Sequence, residues 1–407
     1  PDATPRPELE RRLERLADRK DAWIHEGLER RKDYLRAAMR GVLDVADDWV
    51  EEACRQRGID PRGPLSGEEW ISGPMTLVRN LELFVQALRQ GGQPILPGRR
   101  EGPDGQTIVR VFPNGLLERV LYSDMSAEIW IEPGQLATQG RIYREKAEGR
   151  FAGGRVCLVL GAGNISSIGA LDVLYKLFVE DQVTLLKMNP VNAYLGPFLE
   201  RVFADLIRDG YLELAHGGVD VGAFLCSHSG VETLHLTGSH LTHDAIVWGA
   251  DPGEREERRA AGTPLLDKPI TSELGCVTPV IVVPGRWSDA ELGYQARHVA
   301  SMVAHNASFN CNAAKVLVLS RAWPQREAFL GRVKAAMSAI PSRRAYYPGA
   351  EERYGQFLAR YPQALPLSPG GDGTVPWTLI PDVPARADEY ALSHEAFCGV
   401  LAEVSLE

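Results

Sequence analysis

No pair of cysteines in this sequence has CxxC spacing; the six present (Cys54, Cys157, Cys226, Cys276, Cys311 and Cys398) are scattered through 407 residues. Neither a disulfide framework nor a zinc ribbon is expected, and a reducing, cytoplasmic setting is the natural expectation. Missing too is any apolar run of the roughly 18 residues that a membrane span needs. Residues Pro1–Asp2–Ala3–Thr4–Pro5 are not followed by the apolar core of a signal peptide, so none is expected. Positive charge is not in excess: 45 Lys and Arg stand against 54 Asp and Glu, a formal net charge of −9. Nucleic acid and anionic membranes are therefore not expected as partners, although a local basic pocket can still take an anionic substrate. Internal repeats and low-complexity tracts are lacking. What remains is an ordinary globular composition, 44% apolar and 24% charged, long enough for two or three domains.

Taken in order, the chain opens with apolar residues at helical spacing. Leu9, Leu13, Leu16, Trp23, Leu28, Leu35 and Val42 predict a helix from residue 8 to about 57, ended by Gly58 and the cluster Pro61–Arg62–Gly63–Pro64. Ser66–Gly67–Glu68–Glu69 is a capping-box pattern and opens a second helix to about Arg89. Mixed charges on both read as a solvated face. Residues 90–155 are rich in Gly and Pro, with strands predicted over 107–112 and 128–131.

From residue 155 strands and helices alternate. Strands are predicted at 156–160, 183–187 and 234–237, and helices at 166–179 and about 193–209. This βαβ pattern implies an α/β fold, a parallel sheet covered by helices, with ligands at the carboxyl ends of its strands. Asn164, Lys187 and Gly238–Ser239 fall at such ends. Residues 250–268 read as a charged insertion. A second α/β region begins at about 270, with helices over 288–304 and about 323–339 and a Pro- and Gly-rich close over 362–388.

Two polar turns precede short apolar runs in that region. Thr271–Ser272–Glu273–Leu274–Gly275–Cys276 leads into Val277–Val283, and His305–Asn306–Ala307–Ser308–Phe309–Asn310–Cys311–Asn312 leads into Ala313–Leu319. A thiol in such a turn is either an inert core cysteine or a nucleophile, and a nucleophile needs a base or a polar cradle. Gly161–Ala162–Gly163 invites the G-x-G-x-x-G dinucleotide fingerprint, but Ser166 stands at its third position. His228, His235, His240, His243 and Cys226 do not share metal-ligand spacing, so no metal is expected.

Glu273–Leu274–Gly275–Cys276 and Asn306–Ala307–Ser308–Phe309–Asn310–Cys311 together resemble the Glu-Leu-Gly-Gly and Asn-x-Gly-Gln-x-Cys segments of the aldehyde dehydrogenase superfamily, and their separation fits that family. Glu395–Ala396–Phe397–Cys398–Gly399 resembles its Glu-x-Phe-Gly-Pro motif. The resemblance runs from about residue 155 to the end. It implies a Rossmann-like cofactor domain plus an α/β catalytic domain, and oxidation of a small-molecule aldehyde to a carboxylic acid with NADP or NAD. It makes Cys311 the nucleophile, Glu273 the base that activates water, and Asn164 the oxyanion donor. It makes Lys187, Gly222, Gly238, Ser239, Glu395 and Phe397 cofactor-binding. Bland readings stand beside these: Asn164 can simply turn the chain, Lys187 can reach solvent, Glu273 can sit in a salt bridge, and Cys276 can be a packed thiol.

The resemblance divides the chain into residues 1–268, the helices and dinucleotide-binding domain with an oligomerisation hairpin within 121–155, and residues 269–407, a catalytic domain truncated at its C-terminal end. Residues 389–407 are then expected to form an unsupported edge, and a homo-oligomer is expected if the absent part is present. Pro190 stands where NAD-preferring relatives carry Glu, so NADP is expected to serve at least as well as NAD. Phe309, Asn310 and Asn312 flank the nucleophile and are expected to line a tunnel for a polar substrate. The alternatives are acyl transfer to coenzyme A, in either direction, and a non-catalytic dinucleotide-binding protein.

Overall fold

The structure, a computed structural model, describes residues 1–371 and 373–407. The sequence predicts one helix over 8–57, but the chain forms two, Arg6–His25 and Leu28–Arg57. Glu26 and Gly27 between them are extended, with ψ of 125° and 160°. The fully buried Arg31 reaches back across the break: Nε donates to Glu26 O at 3.1 Å and Nη2 to Trp23 O at 2.8 Å. Its charge is met by Asp181, as a buried cation requires. The helix predicted over 66–89 is also interrupted. Ser66–Trp70 and Thr76–Arg89 are α-helical, while Gly73 leaves helical geometry (φ −110°, ψ −106°) just before Pro74. A Cβ at Gly73 would lie 2.8 Å from Ser166 Oγ and 3.1 Å from Trp49 Nε1, so this close approach requires glycine.

Three strands, β1 (Gly98–Glu101), β2 (Thr107–Phe112) and β3 (Ala127–Trp130), form a small antiparallel sheet in that order. It lies mostly before the 121–155 span in which a hairpin is predicted. β4 (Arg155–Leu160), β5 (Gln182–Lys187), β6 (Leu212–Ala215), β7 (Thr233–Thr237) and β8 (Ile270–Glu273) form a parallel sheet, order β6-β5-β4-β7-β8. β4 and β5 are aliphatic with almost every side chain buried, as expected of parallel strands covered on both faces. Leu9, Trp23, Leu35 and Trp49 of the first two helices pack into the same core. β8 pairs with β7, Glu273 beside Thr237, so this sheet runs past residue 268.

The remaining strands, β9 (Thr278–Ile281), β10 (Ala314–Ser320), β11 (Leu365–Pro366), β12 (Thr378–Ile380) and β13 (Val400–Leu406), form the order β11-β12-β13-β10-β9. Helices Asp289–Ala304 and Arg326–Ser338 cover one face and supply Val299, Val303, Phe329 and Val333 to its core. The unsupported edge expected over 389–407 is corrected here: β13 pairs with β10 on one side and β12 on the other. Val400–Leu401–Ala402 and Val404 are buried, and the buried Glu403 between them meets Arg326 at 3.0 Å. Among the described residues no helix is long and apolar enough to cross a membrane.

Candidate active site

The carboxyl ends of β4, β5, β7 and β8 open on a cleft of about 1320 Å³ whose opposite wall comes from the second sheet's side of the molecule. Asn164, in the turn after β4, is buried, and its Nδ2 donates to Phe309 O at 2.9 Å. One carboxamide N–H therefore ties it to the turn that carries Cys311. That turn is unusual: Asn306, Ala307 and Ser308 are consecutive left-handed residues (φ 52°, 52° and 68°). Such backbone persists only where surrounding bonds hold it. Lys315 Nζ, buried behind the turn, donates to Ser308 O at 3.1 Å. Thr278 Oγ1 donates to Cys311 O at 3.2 Å from the neighbouring strand.

Cys311 is exposed to the cleft. Partial burial, then the negative charge of Glu395, push its thiol above the ordinary range, while the backbone N–H groups of Asn312 and Cys311 oppose the shift. Glu273, at the end of β8, is exposed, lines the cleft and has no ion pair among the described residues. The salt-bridge reading of Glu273 is thus not what the structure displays. Lys187 ends β5 with its ammonium pulled down by burial. Gly222 lies in the helix Val219–Ser227 with open space at its Cβ position. Gly238 precedes Ser239, whose Oγ caps the helix His240–Trp248 by accepting from Thr242 N at 3.2 Å.

Glu395 enters from the far wall. Burial raises its carboxyl pKa, and its Oε1 is buried without a hydrogen-bond partner among the described residues. Its Oε2 occupies the space over Gly275, 2.0 Å from where a Cβ would stand. Phe397 (φ 44°) packs against Tyr347 and Phe309, with ring centroids at 4.9 and 5.8 Å. All nine residues given catalytic or cofactor-binding roles in the sequence analysis line this one cleft.

No family model matches the sequence. Among solved structures, gamma-glutamyl-gamma-aminobutyraldehyde dehydrogenase from Burkholderia cenocepacia gives a TM-score of 0.69 at 16% identity, over 100% of this chain and 73% of that one. The aldehyde dehydrogenase of Mycobacterium tuberculosis complexed with NAD+ gives 0.67 at 16%, over 98% and 73%. NADP-dependent glyceraldehyde-3-phosphate dehydrogenase from Bacillus halodurans, complexed with NADP, gives 0.66 at 15%, over 99% and 74%. The chain has the aldehyde dehydrogenase fold.

On this aldehyde dehydrogenase fold some sequence expectations need correction. Phe309 and Asn310 are buried and do not line the cleft. Phe309 packs on Tyr346, and Asn310 bonds Asn306 and His305 to close the turn. Asn312 is exposed but does not line the cleft either. Cys276, expected as a packed thiol, is exposed, because it lies in the link between β8 and β9 outside both cores. Pro190 opens a 3-10 turn, Pro190–Leu195, capped by Asn189, and also lines the cleft. Sequence reading missed Arg353, in the unpredicted helix Ala350–Arg360. It donates to Ala396 O at 3.1 Å and Phe397 O at 3.3 Å and so holds the Glu395–Phe397 turn. The pair Tyr346–Tyr347 before Pro348–Gly349 was the one local signal pointing to that wall.

Proposed function

We propose that the chain oxidises an aldehyde to a carboxylic acid with NAD or NADP, using Cys311, Asn164 and Glu273. The observation that carries this reading is their convergence on one cleft: an exposed thiol, a tethered carboxamide and an unpaired carboxylate. The cleft also suits a dinucleotide. Its Gly222 wall is open, two helix N-termini face it, and the orphaned Glu395 Oε1 offers an acceptor to a ribose hydroxyl.

In the proposed mechanism Cys311 Sγ, as thiolate, bonds to the carbonyl carbon and forms a thiohemiacetal. The second N–H of Asn164 and the backbone N–H of Cys311 receive the oxyanion; such donors are worth roughly 3–4 kcal/mol. The nicotinamide, when bound, supplies the acceptor for the hydride whose loss leaves a thioester on Cys311. Glu273 takes a proton from water, the resulting hydroxide attacks the thioester carbonyl, and the acid leaves with Cys311 restored.

The test is a panel of aldehydes assayed for reduced nicotinamide, with calorimetry of dinucleotide binding. Purified protein that binds neither NAD nor NADP would end the reading. Pro190 offers no carboxylate to repel a 2′-phosphate, so kcat/KM with NADP is expected to equal or exceed that with NAD. A preference for NAD above tenfold refutes this part, and Pro190→Glu should shift the ratio toward NAD.

A further inference from the structure

Between the N-terminal helices and the turn of Cys311 lies a buried polar network that the mechanism above leaves unused. Arg57, at the end of the helix Leu28–Arg57, is buried and ion-paired with the buried Glu69. Its Nη2 donates to Asn164 O at 3.0 Å, and its guanidinium lies 5.1 Å over the ring of Tyr346. The Tyr346 hydroxyl is 3.0 Å from Asn164 O and 2.8 Å from Asn306 Oδ1. Asn306 Nδ2 is 3.0 Å from Asn164 O and 3.2 Å from Phe309 O. One backbone oxygen, that of Asn164, is thus ringed by donor groups from three separate stretches of chain, the single Tyr346 proton being shared between it and Asn306 Oδ1. Its own side chain is fixed by Phe309 O. Asn306 is also the first of the three left-handed residues that lead to Cys311.

We propose that Tyr346, braced by the Arg57–Glu69 pair, is a positioning residue for aldehyde oxidation, locking the Asn164 turn to the Asn306–Ser308 turn so that Asn164 Nδ2 and Cys311 Sγ meet the same carbonyl. This rests on the roles proposed above for Asn164 and Cys311. Two direct bonds, Asn164 Nδ2 to Phe309 O and Asn306 Nδ2 to Asn164 O, already join these turns from different sheets, and the Tyr346 hydroxyl adds a third contact at the same oxygen; displacement by about 1 Å costs on the order of 100-fold in rate. Burial pushes the Tyr346 phenol up to about 12, so it stays a donor through the working range of pH. Its ring packs on Phe309 at 4.9 Å and under Arg57. Phenylalanine keeps those ring contacts and removes only the hydroxyl.

Tyr346→Phe, Asn164→Ala and the double variant are compared for dinucleotide Kd, for kcat and KM with an oxidised aldehyde, and for the rate of Cys311 alkylation by iodoacetamide. Tyr346→Phe is expected to lower kcat about tenfold with Kd close to wild type, and to add less than about twofold in the Asn164→Ala background, because it acts through Asn164. Equal factors in both backgrounds, or wild-type kcat in Tyr346→Phe, overturn the proposal. Failure of the functional reading looks different: the wild type then oxidises no aldehyde. Alkylation decides in that case, with exposed Cys276 as internal control. A changed Cys311 rate at unchanged Cys276 rate supports the positioning role, and an unchanged Cys311 rate overturns it.

Discussion

Glu273 is the residue whose surroundings say most by being empty. It lies exposed on the cleft with no ion pair among the described residues, where water can reach it. Glu273→Gln should therefore permit one hydride transfer and block hydrolysis, giving a burst of reduced cofactor followed by little turnover; unchanged steady-state rates would show that another group is the base. Glu395 is held differently, against the bare Cα of Gly275. Gly275→Ala should push its carboxylate away, since the Cβ would stand 2.0 Å from Oε2. KM for the dinucleotide should rise about tenfold, the worth of one hydrogen bond to a charged acceptor, with Cys311 alkylation little changed. Lys315 gives a pH prediction. Burial pushes its ammonium down from 10.5 to about 8. Between about pH 8 and 10 the unfolded chain then binds more protons at this site than the folded one, so its contribution to stability rises with pH in that window and is least favourable below it. Lys315→Met should remove that rise, and urea midpoints that track wild type from pH 7.5 to 9.5 would refute it. The segments of Cys311 and Glu273 stand out in the sequence because each is a polar stretch ahead of an apolar run, although the structure puts Glu273 at the end of β8. Tyr346 does not: its partners, Asn164 and Asn306, are distant in sequence, and only the fold brings their oxygens to one hydroxyl.

At the scale of elements, periodicity identified the buried faces well and the breaks poorly. Leu9, Leu13 and Leu16 lie in the core as their spacing requires, and so do the apolar positions of β4 and β5. The break at Glu26–Gly27 escaped because its cause is Arg31, which reads as a surface charge yet is fully buried against carbonyls and Asp181. Gly73 escaped for a related reason. It sits in a helical pattern, and only the approach of Ser166 and Trp49 explains why no side chain is tolerated. Gly73→Ala is expected to destabilise by about 1–3 kcal/mol through overpacking. Adding Ser166→Ala should recover part of that loss in a thermal melt, because the nearest clash is with its hydroxyl. No recovery would assign the cost to the backbone angles of Gly73 instead.

The whole molecule places two sheets, one parallel and one parallel but for its β11 edge, around one cleft, and each wall supplies groups the other lacks. Asn164, Lys187 and Glu273 come from the first, Cys311, Glu395 and Phe397 from the second. The first sheet was legible as an alternation of strands and helices. The second was only half legible, because β12 and β13 are short apolar runs whose partners are set by tertiary pairing. The position of β13 has a consequence for biosynthesis. It lies between β10 and β12 but follows both in sequence. While the chain emerges from the ribosome, those two strands stay apart, each with an open edge, until residues 400–406 arrive to join them. The first sheet has all its strands once residue 273 is out. Stalled nascent chains should accordingly show early protease protection over 155–273 and late, abrupt protection over 278–381, the Cys311 turn ordering only as β13 slots in.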